Sequence, residues 1–385
     1  MLPGISHITA GFVAVLVGFT GSAVIVFQAA ESAGATPTEI SSWLGALGLG
    51  LGCTSIGLSL YYKNPVLTAW STPGAALLIT ALSGVSMAEA IGAFLFSGLL
   101  ITICGISGWF ERVMDRIPRQ IASAMLAGIL FRFGLDIFVA MQSAFVLVFS
   151  MFLIYLAAKR ISPRYSIVIV FTAGMLIAWL RGEFGFDLSD IAITAPVYTQ
   201  PEFSLSILIS VGLPLFVVTM TSQNLPGIAI SRAAGYQTPV SPLLTWTGIT
   251  TLVLAPFGGF AFNLAAITAA ICMGDEADLD RRKRYLASAS AGFFYLLMAI
   301  SGSAFVALLA AFPKPLIATI AGLALLSTIA NSLRSAMQGS HMEPALITFL
   351  VTVSGISFFN IGAAFWGLLA GITAQVILTT KNKSS

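Results

Sequence analysis

Pro65-Val66-Leu67-Thr68-Ala69-Trp70-Ser71-Thr72-Pro73-Gly74-Ala75-Ala76-Leu77-Leu78-Ile79-Thr80 is largely apolar and changes character at its middle. The first half is β-branched and aromatic and is bounded by Pro65 and Pro73, so it reads as extended chain. From Ala75 onward the residues are good helix formers. Thr72 suits an N-cap, and Pro73, with its fixed φ, suits the first helical position. A later stretch repeats the design. Gly258-Gly259-Phe260-Ala261-Phe262-Asn263 is glycine-rich and extended in character, and Leu264 to Cys272 then reads as helix with Asn263 as the cap candidate.

Composition says where these stretches sit. The 385 residues are 57% hydrophobic and only 9% charged, against about 25% charged in soluble domains. Water is therefore not the solvent for most of this surface. A helix needs about 20 mostly apolar residues to cross a bilayer. The candidate spans are 6–30, 40–61, 66–83, 86–108, 117–138, 143–158, 165–181, 204–231, 241–256, 259–273, 285–311, 314–334, 344–358 and 361–380. The first follows a tail without Lys or Arg and is too long for a signal-peptide core, so it reads as a retained span. The two broken stretches are the third and tenth spans.

Charge placement decides whether both cross, because Lys and Arg accumulate on the cytoplasmic side of short loops. With fourteen crossings and the N-terminus inside, the inner side receives Lys63, Arg112, Arg116, Arg119, Lys159, Arg160, Arg164, Arg232, Arg281, Arg282, Lys283, Arg284, Arg334, Lys381 and Lys383. The outer side receives Arg181 and Lys314, and Arg132 falls within a span. That is fifteen against two. If neither broken stretch crossed, the split would be nine against eight. Both cross, with an extended half and a short helix sharing the thickness, and both termini are expected in the cytoplasm.

The halves also echo each other at a spacing of about 195–202 residues. Ala33-Gly34-Ala35-Thr36-Pro37 returns as Ala234-Gly235-Tyr236-Gln237-Thr238-Pro239. Ile117-Pro118-Arg119 leading into Ala127-Gly128 returns as Phe312-Pro313-Lys314 leading into Ala321-Gly322. Ala173-Gly174-Met175 returns as Ala370-Gly371-Ile372. Seven crossings per half is an odd number, so the second half inserts upside down. The expected fold is an all-α membrane protein of 14 transmembrane segments in two inverted repeats, residues 1–203 and 204–385. Inverted repeats with one broken helix each are a transporter architecture, and the breaks form the binding site near the midplane.

A half-helix starting inside the membrane presents unpaired N–H groups and the positive end of its dipole, which favours an anion such as a carboxylate. In the third span the candidate donors are the N–H groups of Gly74 and Ala75, supported by the hydroxyls of Ser71 and Thr72. In the tenth they follow Asn263, near Ala265 and Ala266. The eighth span carries the densest polar cluster, Thr219-Met220-Thr221-Ser222-Gln223-Asn224. Amides in hydrocarbon are costly unless paired, so Thr221, Ser222, Gln223 and Asn224 read as substrate-facing, with helix–helix bonding as the other reading. Gln28 is a weaker candidate at the end of the first span. Arg132 and Asp136, one turn apart, read first as a structural ion pair and otherwise as gating or proton-coupling groups.

Several classes are excluded. Cys53, Cys104 and Cys272 lie in apolar runs and form no CxxC, and His7 and His341 are the only histidines, so no metal or redox site is expected. The run from Asp275 to Arg284 lacks the glycine and distal glutamate of a calcium loop and reads as a solvated loop. No GxxxxGK[ST] is present, so any uphill transport uses an ion gradient or a partner subunit. A membrane-embedded enzyme would need convergent acids, histidines or a nucleophile pair, which the sequence does not offer. No cofactor and no nucleic-acid partner are expected.

Leu67-Thr68-Ala69-Trp70-Ser71-Thr72-Pro73-Gly74-Ala75-Ala76-Leu77-Leu78, the run from Leu213-Pro214 through Thr221-Ser222-Gln223-Asn224-Leu225-Pro226-Gly227-Ile228-Ala229, and Pro239-Val240-Ser241-Pro242-Leu243 together resemble the benzoate transporter (BenE) family of bacterial inner-membrane proteins. The resemblance covers essentially the whole chain. It implies proton-coupled uptake of benzoate or a similar aromatic carboxylate. It also implies kinship with the seven-plus-seven fold of uracil permease and sulfate permease relatives. That fold has a core domain, from segments 1–4 and 8–11, and a gate domain, from segments 5–7 and 12–14. A homodimer is a further expectation. Nucleobase symporters of that fold carry carboxylates on the eighth and tenth spans, where this chain offers Gln223, Asn224 and Asn263. A fixed carboxylate would repel a benzoate, whereas neutral amides and helix N-termini would not. Phe19, Trp70 and Phe262 are placed to wall an aromatic ring, and Asp136, Glu31 and Glu89 are the candidates for a proton carrier. Another anion or a nucleobase is the alternative substrate.

Overall fold

The computed structural model describes residues 3–108, 110, 119–162, 166–183, 194–237, 239–274, 277–302, 304, 311–338, 342–356, 358 and 363–380. Arg112, Arg116, Ile117, Pro118, Arg164, Thr238, Asp275, Glu276, His341, Lys381 and Lys383 lie outside the described residues.

Each of the fourteen apolar segments contains helix among the described residues. The first half comprises α1 (Ile5–Ser32), α2 (Pro37–Tyr62), the short strand β1 (Thr68–Trp70) with α3 (Thr72–Ala81), α4 (Met87–Ser107), α5 (Arg119–Ser143), α6 (Phe145–Ile161) and α7 (Ser166–Leu180). The second comprises α8 (Leu205–Arg232), α9 (Val240–Leu254), the strand β2 (Phe262–Leu264) with α10 (Ile267–Met273), α11 (Tyr285–Ile300), α12 (Lys314–Ala336), α13 (Met342–Val353) and α14 (Ala363–Thr380). The broken segments are therefore a strand plus a half-helix each, as the sequence predicts. Their starts differ by a few residues from expectation. The N-cap of α3 is Ser71, not Thr72, and Asn263 lies inside β2, with α10 opening after Ala266.

Local chemistry sets the ends. Thr36 caps α2 in a reciprocal box with Glu39, whose carboxylate accepts from the Thr36 N–H at 2.7 Å, and Pro37 occupies the first turn. Ser86 and Glu89 do the same for α4. Gly34 and Gly235, the repeated glycines, both turn the chain left-handed, with φ of 75° and 77°, just past the ends of α1 and α8. Two features were not anticipated. α1 bends by 42° between Phe19 and Ser22. α8 widens into two π turns, Leu208–Gly212 and Met220–Asn224. Each π turn is followed within two residues by a proline, Pro214 and Pro226. A proline removes one donor and displaces the carbonyl four residues earlier, which widens the turn before it.

The inverted repeat is visible in which elements pack together. α2 packs on α11 and α4 packs on α9. Exchanging the halves turns one of these pairs into the other, since the second segment maps on the ninth and the fourth on the eleventh. α5 packs on α12, its own counterpart. The crossings are close because glycine removes the Cβ. A Cβ on Gly52 would meet Gly292 O at 2.9 Å, and one on Gly248 would meet Thr102 N at 2.7 Å. β1 and β2 pair antiparallel in the register Thr68↔Leu264, Ala69↔Asn263, Trp70↔Phe262. An antiparallel ribbon is two-fold symmetric about its central pair, so the Ala69↔Asn263 pair lies on the axis relating the halves.

The segment after α10 is more than a solvated loop. Arg284 is buried and donates to Met273 O at 2.6 Å and to Asp278 O at 2.7 Å. His7 Nε2 lies 2.9 Å from Asp278 Oδ2, without linear hydrogen-bond alignment. Tyr236 donates its hydroxyl to Arg281 O at 3.0 Å beneath the Arg281 guanidinium, 4.6 Å from the ring centre. Burial pushes this phenol up, against the pull of Arg281 and Arg284, so it stays neutral.

Candidate functional site

Backbone that is neither helix nor closed sheet is tolerated at membrane depth only where its polar groups find partners. The two-stranded ribbon has two open edges, and hydroxyl and amide side chains close them. From α2, Ser55 Oγ accepts the Thr68 N–H at 3.1 Å, and Ser59 Oγ both donates to Val66 O at 2.8 Å and accepts from Val66 N at 3.2 Å. Thr54 Oγ1 and Ser55 Oγ lie 2.7 Å and 2.8 Å from Thr68 Oγ1. From α9, Thr251 Oγ1 accepts the Phe262 N–H at 3.1 Å, and from α8, Asn224 Oδ1 accepts the Leu264 N–H at 2.9 Å. Sequence reading did not single out Ser55, Ser59 or Thr251, since small hydroxyl residues are ordinary in packed membrane helices.

The half-helix starts lie beyond opposite ends of this ribbon. They are not equivalent. At α3 the Gly74 N–H donates to Ser71 Oγ at 3.1 Å and the Ala75 N–H donates to Ser71 O at 2.7 Å. Both of the predicted donors are thus taken within the turn. Pro73 has no N–H, and what remains open at this start among the described residues is Thr72, with its N–H and its hydroxyl. At α10 the cap residue is Ala266, without a capping side chain, and the Ala265 N–H is held by Leu67 O at 2.9 Å.

α8 lies against both starts. Leu215 would meet a Cβ on Gly74 at 2.6 Å, and Gly227 leaves room for Leu264 and Ala265, whose oxygen atoms would lie 2.9 and 3.0 Å from a Cβ there. Between these contacts is the π turn carrying the predicted polar cluster. Its members divide sharply. Asn224 is fully buried, its oxygen bound to β2 and its amide 3.2 Å from Met220 Sδ. Thr221 donates back to Val217 O at 2.8 Å. Ser222 and Gln223 are half-buried and make no side-chain hydrogen bond among the described residues. Thr219, just before the π turn, has a buried hydroxyl without a partner among the described residues. In β2, the Asn263 amide donates to Ala261 O at 2.9 Å across a backbone turn with φ of 44°, and its buried oxygen has no partner among the described residues.

The aromatic candidates separate as well. Trp70 donates its indole N–H to Ser22 Oγ at 2.9 Å, and its ring meets Phe19 edge-on at 6.2 Å. Both therefore sit at the bend of α1. A Cβ on Gly18, one residue before Phe19, would lie 3.3 Å from the Thr268 side chain in α10. Phe262 does not join them. Its ring is fully buried over Gly50 and Gly259, so it packs against the scaffold.

Three further candidates come together elsewhere. Gln28, Glu31 and Ser32 of α1, Ile79 of α3, Phe133 and Asp136 of α5, and Ala318 of α12 line a cavity of about 350 Å³. Glu89 is not near it, because its carboxylate caps α4 at an exposed position. Arg132 and Asp136 form no ion pair. Among the described residues Arg132 has no carboxylate within 4 Å, although its charge acts on Asp136.

Two inverted halves, a strand-and-half-helix break in each, and a ribbon joining the breaks define a membrane-transporter fold rather than an enzyme. The profile of the BenE family, "Benzoate membrane transport protein", matches residues 3–377, and the chain belongs to that family. It is 50% identical to the inner membrane protein YdcO of Escherichia coli (strain K12) over 370 residues, 96% of this chain and 95% of the relative. It is 41% identical to the benzoate membrane transport protein of Acinetobacter baylyi over 375 residues, 97% and 95% of the two chains. Among solved structures, the transmembrane domain of the cyanobacterial bicarbonate transporter BicA superposes with a TM-score of 0.60 at 14% identity, covering 96% of this chain and 97% of that one. SLC26A9 superposes with a TM-score of 0.60 at 12% identity, over 96% of this chain and 65% of that one.

Proposed function

We propose that the protein takes up benzoate or a similar aromatic carboxylate by proton-coupled symport across a bacterial inner membrane, with both termini cytoplasmic. Family membership and the benzoate transport relative support the substrate class. The observation that carries the reading at the site is chemical. The ribbon, both half-helix starts and the π turn hold hydroxyls, amides and backbone N–H groups, and no acidic side chain. Such a surface stabilises a carboxylate without opposing it. Phe19 and Trp70 supply the apolar edge for the ring, Thr72 and Gln223 the open polar groups, and Ala265 and Ala266 a surface that a substrate can approach closely.

Transport follows from segments 1–4 and 8–11 moving as a core against a gate of segments 5–7 and 12–14. Glu31 on the core and Asp136 on the gate share one cavity at that boundary, which suits them to carry a proton whose binding depends on closure. The test is uptake into proteoliposomes of a panel of aromatic acids, with bicarbonate, sulfate and uracil alongside, with and without an imposed pH gradient. Benzoate should accumulate only with the gradient. Uptake of bicarbonate or uracil without benzoate would replace the substrate, and gradient-independent benzoate accumulation would remove the proton. Glu31→Gln and Asp136→Asn should lose accumulation yet keep benzoate exchange at equal concentrations; full accumulation by both would clear them of the role.

A further inference from the structure

Arg132 is the one basic residue that the sequence places within a span, and among the described residues it has no acceptor. It lies near the middle of α5, with about 20 Å of helix before it and about 17 Å after it at 1.5 Å per residue. Its side chain is exposed, no carboxylate stands within ion-pair distance, and it makes no hydrogen bond among the described residues. A guanidinium turned to lipid at this depth is costly, and such residues face a bundle interior or a wet cleft. Its helix neighbours say which cleft. Asp136, four residues on and on the same face, lines the cavity with Gln28, Glu31 and Ile79. α5 also packs on α3 and on the π turn Met220–Asn224 of α8.

The level fits too. α1, α3 and α5 are odd-numbered segments and run the same way through the bilayer. Stepping back from Ile79 to Thr72 descends about 10 Å, and from Asp136 to Arg132 about 6 Å. An extended arginine side chain bridges the remainder. We infer that Arg132 is the gate-side specificity residue, its guanidinium pairing with the substrate carboxylate while Thr72 and the α8 π turn hold it from the core. The core site offers only neutral donors, so the one full positive charge comes from the opposite domain. A carboxylate bound between them would then draw the two domains together. Arginine suits this role because its planar fork matches a carboxylate in two parallel hydrogen bonds.

This rests on the aromatic-carboxylate reading, and the experiment separates the two. Uptake kinetics in proteoliposomes are measured for the wild type, Arg132→Gln and Arg132→Lys, each normalised to inserted protein and checked for unchanged thermal unfolding. Arg132→Gln should raise the KM for benzoate about 10- to 100-fold, as loss of a charge-assisted hydrogen-bonded pair does, with a smaller change in kcat. Arg132→Lys should recover most of the affinity, since it keeps the charge. Wild-type KM in Arg132→Gln, or equal impairment in both variants, would overturn the assignment. A wild type that ignores benzoate but takes another carboxylate would end the substrate reading alone, and the same variants run on that carboxylate would still decide Arg132.

Discussion

Adjacent side chains in the π turn of α8 have unlike tasks, and their substitution should show it. Asn224 holds the Leu264 N–H in a fully buried place. Asn224→Ala leaves that donor unpaired and should cost about 1–3 kcal/mol, read as a lower unfolding temperature in detergent. Gln223 is half-buried and its amide makes no hydrogen bond among the described residues, so Gln223→Leu should leave unfolding unchanged and cut benzoate uptake. Equal destabilisation by both would mean that Gln223 is structural. Gln223→Glu tests the charge argument. It should weaken benzoate binding at least tenfold while a neutral amide analogue loses little, and equal loss for both ligands would undercut it. The sequence marked Thr221, Ser222, Gln223 and Asn224 as one cluster because all are polar in a hydrocarbon stretch. It could not divide them, since the division depends on which side of a widened turn meets β2. The same holds for Ser71, whose hydroxyl caps α3 instead of remaining open.

At the scale of elements, the open question for any extended chain in a membrane is what satisfies its edges. Here the answer is Ser55 on one edge and Thr251 with Asn224 on the other, each accepting one strand N–H. Ser55→Ala and Thr251→Ala should each cost about 1–3 kcal/mol, and the double variant should approach the sum, as the two edges are separate. Thr250→Ala is the control, since among the described residues its hydroxyl bonds only within its own helix, to Trp246 O. A double variant as stable as the wild type would show that water, not the hydroxyls, closes the edges. The breaks themselves were legible, because Pro73 and the Gly258-Gly259 pair interrupt helical runs that are otherwise too short to cross. The first bend was not, since no proline marks the Phe19–Ser22 stretch of α1. The π turns were marked by Pro214 and Pro226, but a proline shows where a helix is disturbed and not how. Asn263 was misread as a cap because asparagine favours that place locally, while pairing with Ala69 holds it in the strand.

The whole molecule is two inverted halves meeting along a ribbon, and the seam matters more than either half. α2 with α11 and α4 with α9 cross through glycines with no room for a Cβ, so the two helices of each pair are interlocked. Between α1 and α5 the fold instead leaves a cavity of about 350 Å³ with carboxylates on both walls. Close packing on one side and open space on the other is what a rocking motion requires, because interlocked surfaces resist relative movement and a cavity does not. The proposed division into core and gate places Gln28 and Phe133 on opposite bodies across this space. Replacing both with cysteine, in a background where Cys53, Cys104 and Cys272 are serine, gives a pair that a short cleavable thiol cross-linker can join. Linked protein should lose benzoate uptake tenfold or more and regain it when the linker is cleaved. Each single-cysteine protein treated with the same reagent should transport normally. Complete cross-linking with undiminished uptake would mean that α1 and α5 keep a constant distance through the cycle, and the moving boundary would then have to be sought elsewhere.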